Sequence, residues 1–579
     1  MILQSGQAVP RLPGLYVNVA PPQTNFLSPA ATDILGIVGT ASWGPVDAPT
    51  AVGGLSDLIA KFGAPQTRAY DLGTPVWTAS LQGAQNFRCV RVTDGTDTAA
   101  SASLGLSGTP TVAAGGTGNA ANDVLTLSNG AVLKVTTVSA GAVTAVSVTS
   151  QPTSQPANPV SVVSTTGSGT GATFDFTYAE GATLTSRWTG SGANGSTASL
   201  SSGSLVGSWK LVLFHSGNPT ETFDNIGAGL SGTALWAAVA AAVNGGNAVR
   251  GPSQLMVASA GTSAAAPAAA QSVLAGGTDG ATGVATTSLV GVDASPRTGL
   301  YALRNQGCSV GMISDLTDST SWPDQAAFGL SEGVYMIGAT AMGDTVAGAT
   351  ARLASAGVDA YAFKLMFGDW CYFLDTINGV TRLVSPQGFV AGWIAAWGPQ
   401  FSSLNKPLLG IVGTQKSQSN TRYMDDELEA LENGRIDVIA NPAPGGPYFA
   451  CRIGCNTASS AAVNGDNYTR MTNFIAETLN QGLGQFIGEL QTPTEQAEAL
   501  ATLNAFFSDL WSQGAIGSSN PSQIPWAVSI ANNQSEVAAG QQIANAAVIY
   551  LSVIQEFVVN VEGGQTVAIP TASPRPLAA

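Results

Sequence analysis

Gly307-Cys308-Ser309-Val310-Gly311 has the spacing of a nucleophile elbow, in which glycines let a serine stand on a sharp turn between a strand and a helix. The serine would need a base. The chain has one histidine, His215, and it precedes Ser309, whereas in that architecture the histidine follows the serine. The next residues, Met312-Ile313-Ser314-Asp315-Leu316, show no helix start, so the pattern reads better as a tight glycine turn in an apolar strand. A single histidine also excludes HExxH and two-histidine metal sites, and Cys451-Arg452-Ile453-Gly454-Cys455 lacks the second Cys or His pair that four ligands require. Two core thiols are expected there instead. Gly190-Ser191-Gly192-Ala193-Asn194-Gly195 matches a dinucleotide fingerprint, but no helix pattern follows it to bring an N-terminus to a pyrophosphate. A flexible glycine loop is the expectation. No Gly-Lys dipeptide exists, so there is no P-loop. The acidic run Asp425-Asp426-Glu427-Leu428-Glu429, with Glu432, could hold a metal or a partner, but reads first as a solvated helix face. These residues point to no catalytic group, no cofactor and no metal.

The composition sets wider limits. A chain of 579 residues is too long for one core, and about three or four domains are expected. Charged residues make up 10%, well below the usual share of about 25%, and mean hydropathy is +0.20. Either a membrane or other subunits must cover such a surface. Leu235–Val243 is too short to span a bilayer, which needs about 20 apolar residues, and Leu255–Leu274 is rich in small residues and broken by Pro267. The first residues lack a charged region followed by an apolar run, so no signal peptide and no membrane insertion are expected. Burial against partner subunits is the better account. The net charge of −15, with 21 Lys and Arg and no basic cluster, argues against direct nucleic-acid binding. Five scattered cysteines fit buried, reduced thiols rather than a disulfide framework.

The elements follow from patterning. Pro10, Pro13, Pro21 and Pro22 bracket a segment in which Leu15, Val17 and Val19 alternate with Tyr16, Asn18 and Ala20. This is a strand with no hairpin partner in reach, which must pair with another sheet. The run Ile34–Thr40, helical patterns at Ser56–Phe62 and Asp71–Asn86, and the strand Phe87–Val92 form an α/β unit. From about residue 99 to 179 charges almost vanish and Val and Thr alternate, with turns at Asn129-Gly130 and Ala140-Gly141, so an inserted all-β domain is expected. The α/β pattern resumes near Trp209, with helices at Leu230–Val243, Gln325–Ile337 and Ala347–Ala356. Asp466–Ile487 places Met471, Ile475, Leu479, Leu483 and Phe486 on one helical face. Thr492, Pro493 and Glu495 then start a helix striped by Leu500, Leu503, Phe507, Leu510 and Trp511 and ended by Gly514. A second long strand aligns Ile549, Leu551, Val553, Phe557, Val559 and Val561. The expected class is thus a multi-domain α/β protein with strand arms at both termini. Its parts are an arm over 1–22, an α/β core over 23–98, the β insert over 99–180, an α/β domain over 181–440, a helix-rich domain over 441–545, and an arm and tail over 546–579.

Several segments together resemble the tail sheath proteins of contractile-tailed phages. Pro13-Gly14-Leu15-Tyr16-Val17-Asn18-Val19 is similar to that family's N-terminal signature, with Ala20 where an acidic residue is usual. Gly36–Thr50 followed by Phe62-Gly63, Arg297–Asn305 and Gly454–Leu479 add three more matches in order, covering both halves outside the β insert. The resemblance implies a homo-oligomer of stacked rings around a tail tube, in contact with baseplate and tail terminator proteins, in a virion assembled in the host cytoplasm. It implies contraction that drives the tube through the host envelope, and a middle domain of subtilisin-like fold, here without a triad. It also implies subunit linking by the N-terminal arm (Pro13, Gly14, Leu15, Tyr16, Val17, Val19) and the C-terminal strand. The sheath of an R-type bacteriocin or related injection device is the nearest alternative. A serine hydrolase at Ser309 and an adhesin built on the β insert are more distant ones.

Overall fold

The computed structural model describes residues 2–4, 17–19, 27–264, 269–520, 522–531 and 533–559. They divide into two compact units, Ser28–Pro399 with Ser403–Gly482, and a smaller one drawn from Met1–Leu27, Gln400–Ser402 and Leu483–Ala579. Helices and several sheets are mixed throughout.

The larger unit is built on a six-stranded sheet in the order Phe363–Met366, Tyr335–Ala339, Val310–Ile313, Ile34–Gly39, Asn86–Arg91, Thr50–Val52. Neighbours pair in parallel except Thr50–Val52, an antiparallel edge strand. Ile34–Gly39 is buried along its whole length, as a strand covered on both faces must be. Its side chains alternate between two cores. Leu35 and Ile37 pack in one cluster with Val76, Phe389 and Trp393, and Ile34 and Val38 in the other with Trp322, Phe328 and Leu353. On the first face the helices Gly73–Leu81 and Gln387–Ala396 approach closely, because Gly392 lies against the Ala79 backbone where a Cβ would collide. On the second, the helix Trp322–Glu332 ends at Gly333, whose φ of 67° closes it in the left-handed region. The expected helix Gln325–Ile337 is corrected here: its last residues belong to the strand Tyr335–Ala339, which is apolar enough to mimic helix periodicity.

Two antiparallel modules interrupt this sheet. Residues 107–179 form six strands in the order Ala142–Ser150, Val132–Ser139, Val124–Leu127, Val160–Thr165, Thr170–Ala179, Ser107–Thr117 around Leu125, Leu133, Val135, Phe174 and Phe176. Ala140 and Gly141 both take positive φ, 53° and 78°, as a tight hairpin turn requires. The second module joins Ser101–Leu104, Ala182–Ser186 and Met256–Ala260 in one sheet with Thr197–Ser202, Trp209–Phe214, Glu221–Ile226 and Ala270–Val273 in another. The helix Gly232–Gly245 inserts Trp236 into its core, against Gly105 and Gly181, which leave the indole its space. The α/β pattern therefore does not resume at Trp209. That strand is antiparallel, with Leu211 and Leu213 inward and Phe214 exposed, and the parallel sheet returns only at Val310.

In the smaller unit the helix Pro493–Ser512 starts as expected, with Thr492 Oγ1 accepting from Glu495 N at 3.2 Å. It packs on Trp526–Ile530, which pairs antiparallel with Ala544–Val548. Trp526 Nε1 donates to Asn504 Oδ1 at 3.0 Å, and its ring meets Trp511 edge-on at 5.6 Å. Among the described residues no helix is long and apolar enough to cross a membrane.

Candidate functional site

The residues with chemical potential are dispersed and each is engaged locally. Ser309 immediately precedes a strand, and its Oγ donates to the Ile34 carbonyl at 3.2 Å. His215 lies just beyond the strand Trp209–Phe214 in the antiparallel module, its Nδ1 2.8 Å from Ser196 Oγ and its ring 4.2 Å from that of Trp43. Burial pushes its pKa down and keeps the imidazole neutral. Ser309 and His215 thus have different partners, one on the parallel sheet and one in the antiparallel module. Within Gly190–Gly195, Ser191–Ala193 form a 3-10 turn, and Gly192 N donates to the Ser42 carbonyl at 2.8 Å. Gly190, at φ 127°, lies so close to that carbonyl that a Cβ would clash. These glycines serve a close loop-on-loop approach. In the helix Asp425–Asn433, Glu427 pairs with Lys416 at 2.6 Å and accepts from Met424 N at 2.9 Å, while Asp425, Asp426, Glu429 and Glu432 are exposed. Among the described residues no three His, Cys, Asp or Glu side chains converge as metal ligands.

All five cysteines are buried and unpaired. Burial raises every thiol, with Cys308 pushed up to about 12. The thiolate is the reactive form. We therefore expect none of the five to react with a thiol reagent at pH 8 in the folded chain and all five to react in denaturant, as counted by mass spectrometry.

A polar cluster inside the sheet is harder to foresee from residue types and spacing. Lys364, fully buried on the strand Phe363–Met366, reaches Asp437 Oδ2 at 2.6 Å, Asp466 Oδ1 at 3.1 Å and the Cys455 carbonyl at 3.0 Å. Asp437 also accepts from the backbone N–H groups of Val438, Ile453 and Gly454 at 2.8, 3.0 and 2.9 Å. Asp466 accepts from Tyr335 Oη at 2.6 Å, from Ser403 N at 3.1 Å and from Ser403 Oγ. Burial alone would discharge Lys364, but the two carboxylates outweigh it and hold its pKa well above the usual value. Burial likewise opposes ionisation of Asp466, yet the lysine and the three donors keep its pKa below the ordinary range. Asp466 is the first residue of the helix Asp466–Gly482, so the cluster ties that helix to the central sheet. The available signal was a lysine inside the apolar run Phe363–Phe367, in a chain with few cations.

The terminal segments hold the residues expected to link subunits. Pro13, Gly14, Leu15 and Tyr16 lie outside the described residues. Val17–Val19 is a strand, and it has a partner in the chain: it pairs in parallel with Ile2–Gln4. Parallel strands are not joined by a hairpin, so alternation within Val17–Val19 does not point to this partner. At the other end a long strand is expected from Ile549 to Val561, and its described residues, 549–559, form no strand in the single chain. The ladder with Trp526–Ile530 stops at Val548. Ile549 N still donates to the Pro525 carbonyl at 2.7 Å, and Leu551 lies beside Gly517. Val553 is half-buried, and the chain then runs on without a strand partner among the described residues. Phe557 is 82% exposed and Ile554 73%, with Val558 and Val559 also exposed. Val561 lies outside the described residues.

No family model matches the sequence, and no curated protein matches it. Solved structures do. The sheath tail protein of Desulfitobacterium hafniense superposes with a TM-score of 0.51 at 13% identity, covering 93% of this chain and all of that one. The sheath tail protein of Listeria innocua gives a TM-score of 0.53 at 13% identity over 91% of this chain and 96% of its own. The chain therefore has the fold of sheath tail proteins.

Proposed function

We propose that this chain is the sheath subunit of a contractile tail. It polymerises with its own copies into stacked rings around a tail tube, and shortening of the sheath drives the tube through a host envelope. The observation that carries this reading is the likeness to two sheath tail proteins over more than nine-tenths of the chain. The segment 554–559, with Ile554, Phe557, Val558 and Val559 exposed beyond a two-stranded sheet, supports it, because such a segment gains main-chain hydrogen bonds by adding to a neighbour's sheet edge. Arms over 1–22 and 546–579 would keep subunits connected while domains reorient about Pro- and Gly-rich joints. A gain of about 1 kcal/mol per subunit would suffice when summed over a cooperative lattice, since 1.4 kcal/mol is a tenfold shift. In this reading residues 441–545 face the tube and 99–180 face outward, the partners are neighbouring sheath subunits with tube, baseplate and terminator proteins, the setting is a virion tail, and the role is structural rather than enzymatic. Expression of the full chain alone should give tubular polymers in negative stain. Monodisperse monomers at every concentration and salt tried would reject the proposal.

A further inference from the structure

Six asparagines in the chain are followed by glycine: Asn129, Asn194, Asn244, Asn378, Asn433 and Asn464. That pairing carries a chemistry of its own. A glycine has no Cβ to shield its backbone nitrogen and turns freely, so the nitrogen can swing onto the amide carbon of the preceding side chain. Hydrogen bonds to either group oppose the swing, because they must break before it can happen.

In five of the pairs such bonds are present. Asn129 is fully buried, with Nδ2 donating to Tyr178 Oη at 3.2 Å and Oδ1 accepting from Ala131 N at 3.0 Å. The backbone of Gly277 clamps both ends of the Asn194 amide at 2.9 Å, and that of Ala258 clamps Asn244 at 2.7 and 2.9 Å. Asn378 Nδ2 donates to the Pro65 carbonyl at 3.1 Å and to Asp375 Oδ2 at 2.9 Å. Asn433 has an exposed side chain, but it ends the helix Asp425–Asn433, and the Gly434 N–H donates to the Ala430 carbonyl at 3.0 Å. Asn464 differs at both groups. It is half-buried behind the exposed residues 459–462, and neither its side chain nor the Gly465 N–H has a hydrogen-bond partner among the described residues. The local pairing explains the free N–H. Gly465 is bridged to Cys455 antiparallel, and the hydrogen bonds run on either side of it, from Asn456 N to the Asn464 carbonyl at 2.7 Å and from Asp466 N to the Gly454 carbonyl at 3.1 Å. Gly465 therefore sits at a non-hydrogen-bonded position of the ladder.

We propose that Asn464 is a site of self-modification, at which the Gly465 nitrogen converts the asparagine to aspartate and isoaspartate. The nitrogen gives up its proton to solvent and attacks Asn464 Cγ. The new N–Cγ bond forms, the Cγ–Nδ2 bond breaks, and ammonia leaves behind a cyclic imide. Water then opens the ring. Cleavage at Cγ gives aspartate in the normal backbone, and cleavage at the main-chain carbonyl gives isoaspartate, whose backbone runs through the former side chain. In balance, one water is consumed and one ammonia released. The position gives the change a consequence. Residues 464–466 carry the two bonds that set the first residue of the helix Asp466–Gly482, and Asp466 shares Lys364 with Asp437. The extra backbone carbon of isoaspartate breaks the register of those two bonds, so the attachment of the helix to the sheet loosens as the chain ages.

Peptide mapping of the folded full chain, aged at pH 8, tests the site. Acid and isoaspartate should form at 464 about tenfold faster than at any other pair, because each of those must first break hydrogen bonds, and about 1.4 kcal/mol is a tenfold rate. In denaturant Asn464 should lose this lead, since glycine follows all six. Equal rates in the folded chain overturn the proposal, and so does an undiminished lead in denaturant. Both results come from the wild type alone. For the consequence, hydrogen exchange over 466–482 should be faster in aged wild type than in aged Asn464→Gln, whose longer side chain closes the ring far more slowly. Equal exchange once most wild-type chains carry isoaspartate overturns the loosening.

Discussion

Lys364→Met should be among the most damaging single substitutions in the chain. The methionine fills most of the space of the lysine stem but removes the cation that Asp437 and Asp466 share. Both carboxylates are fully buried and accept hydrogen bonds from backbone and hydroxyl donors that stay in place when the lysine is removed. Breaking a buried pair on one side typically costs about 3–5 kcal/mol, because a charge is left without compensation. Here two charges are left. Thermal denaturation should show a large fall in the midpoint of the α/β core, or an insoluble product. The control is Lys364→Met combined with Asp437→Asn and Asp466→Asn, which removes the stranded charges and should recover part of the loss. If Lys364→Met alone melts with the wild type, the cluster contributes nothing to the attachment of the helix Asp466–Gly482.

Removing residues 546–579 should abolish tubular polymers while leaving the monomer folded. The cut takes from the isolated chain the last three pairs of the ladder with Trp526–Ile530 and the contacts of Ile549 and Leu551, and leaves the four core clusters whole. Beyond Val548 the described part of that segment forms no strand ladder, and Ile554, Phe557, Val558 and Val559 are exposed. In a polymer the same residues would be buried against a neighbour. Phe557→Asp makes the argument more local: an exposed phenylalanine can become a carboxylate in the monomer at almost no cost, but burying that charge without a partner is prohibitive. The expected result is loss of tubes in negative stain with an unchanged melting midpoint, and deletion of 1–22 should act in the same direction. Normal tubes from both truncations would remove the arms from any linking role.

What could be read in the sequence was mostly local. Thr492-Pro493 marks the helix start that forms, and Ala140-Gly141 marks a turn whose backbone only such residues favour. The buried run Ile34–Gly39 shows its two-sided burial by lacking polar alternation. What stayed hidden depends on partners distant in the chain. Trp209–Phe214 reads as an apolar strand in either sheet type, and only its pairing with Thr197–Ser202 makes it antiparallel. The strand Ile2–Gln4 is too short to announce itself as a parallel partner. Ile549–Val559 has strand chemistry, yet chemistry alone does not supply the second edge a strand needs. For the polar cluster, Lys364 could be flagged as a charged residue within an apolar strand, but its carboxylate partners lie 73 and 102 positions away.

The six-stranded module leaves and rejoins its host through Ser107 and Ala179, which face each other as the end pair of one antiparallel ladder. Its two attachment points are therefore about one strand spacing apart, roughly 5 Å. A gap of that width can be closed by a tight turn, so the host chain loses almost no closure entropy whether the module is present, shortened or exchanged. The module is in effect a cassette. It makes residues 107–179 the natural place for this architecture to diversify, and for foreign sequence to be grafted without disturbing the parallel sheet.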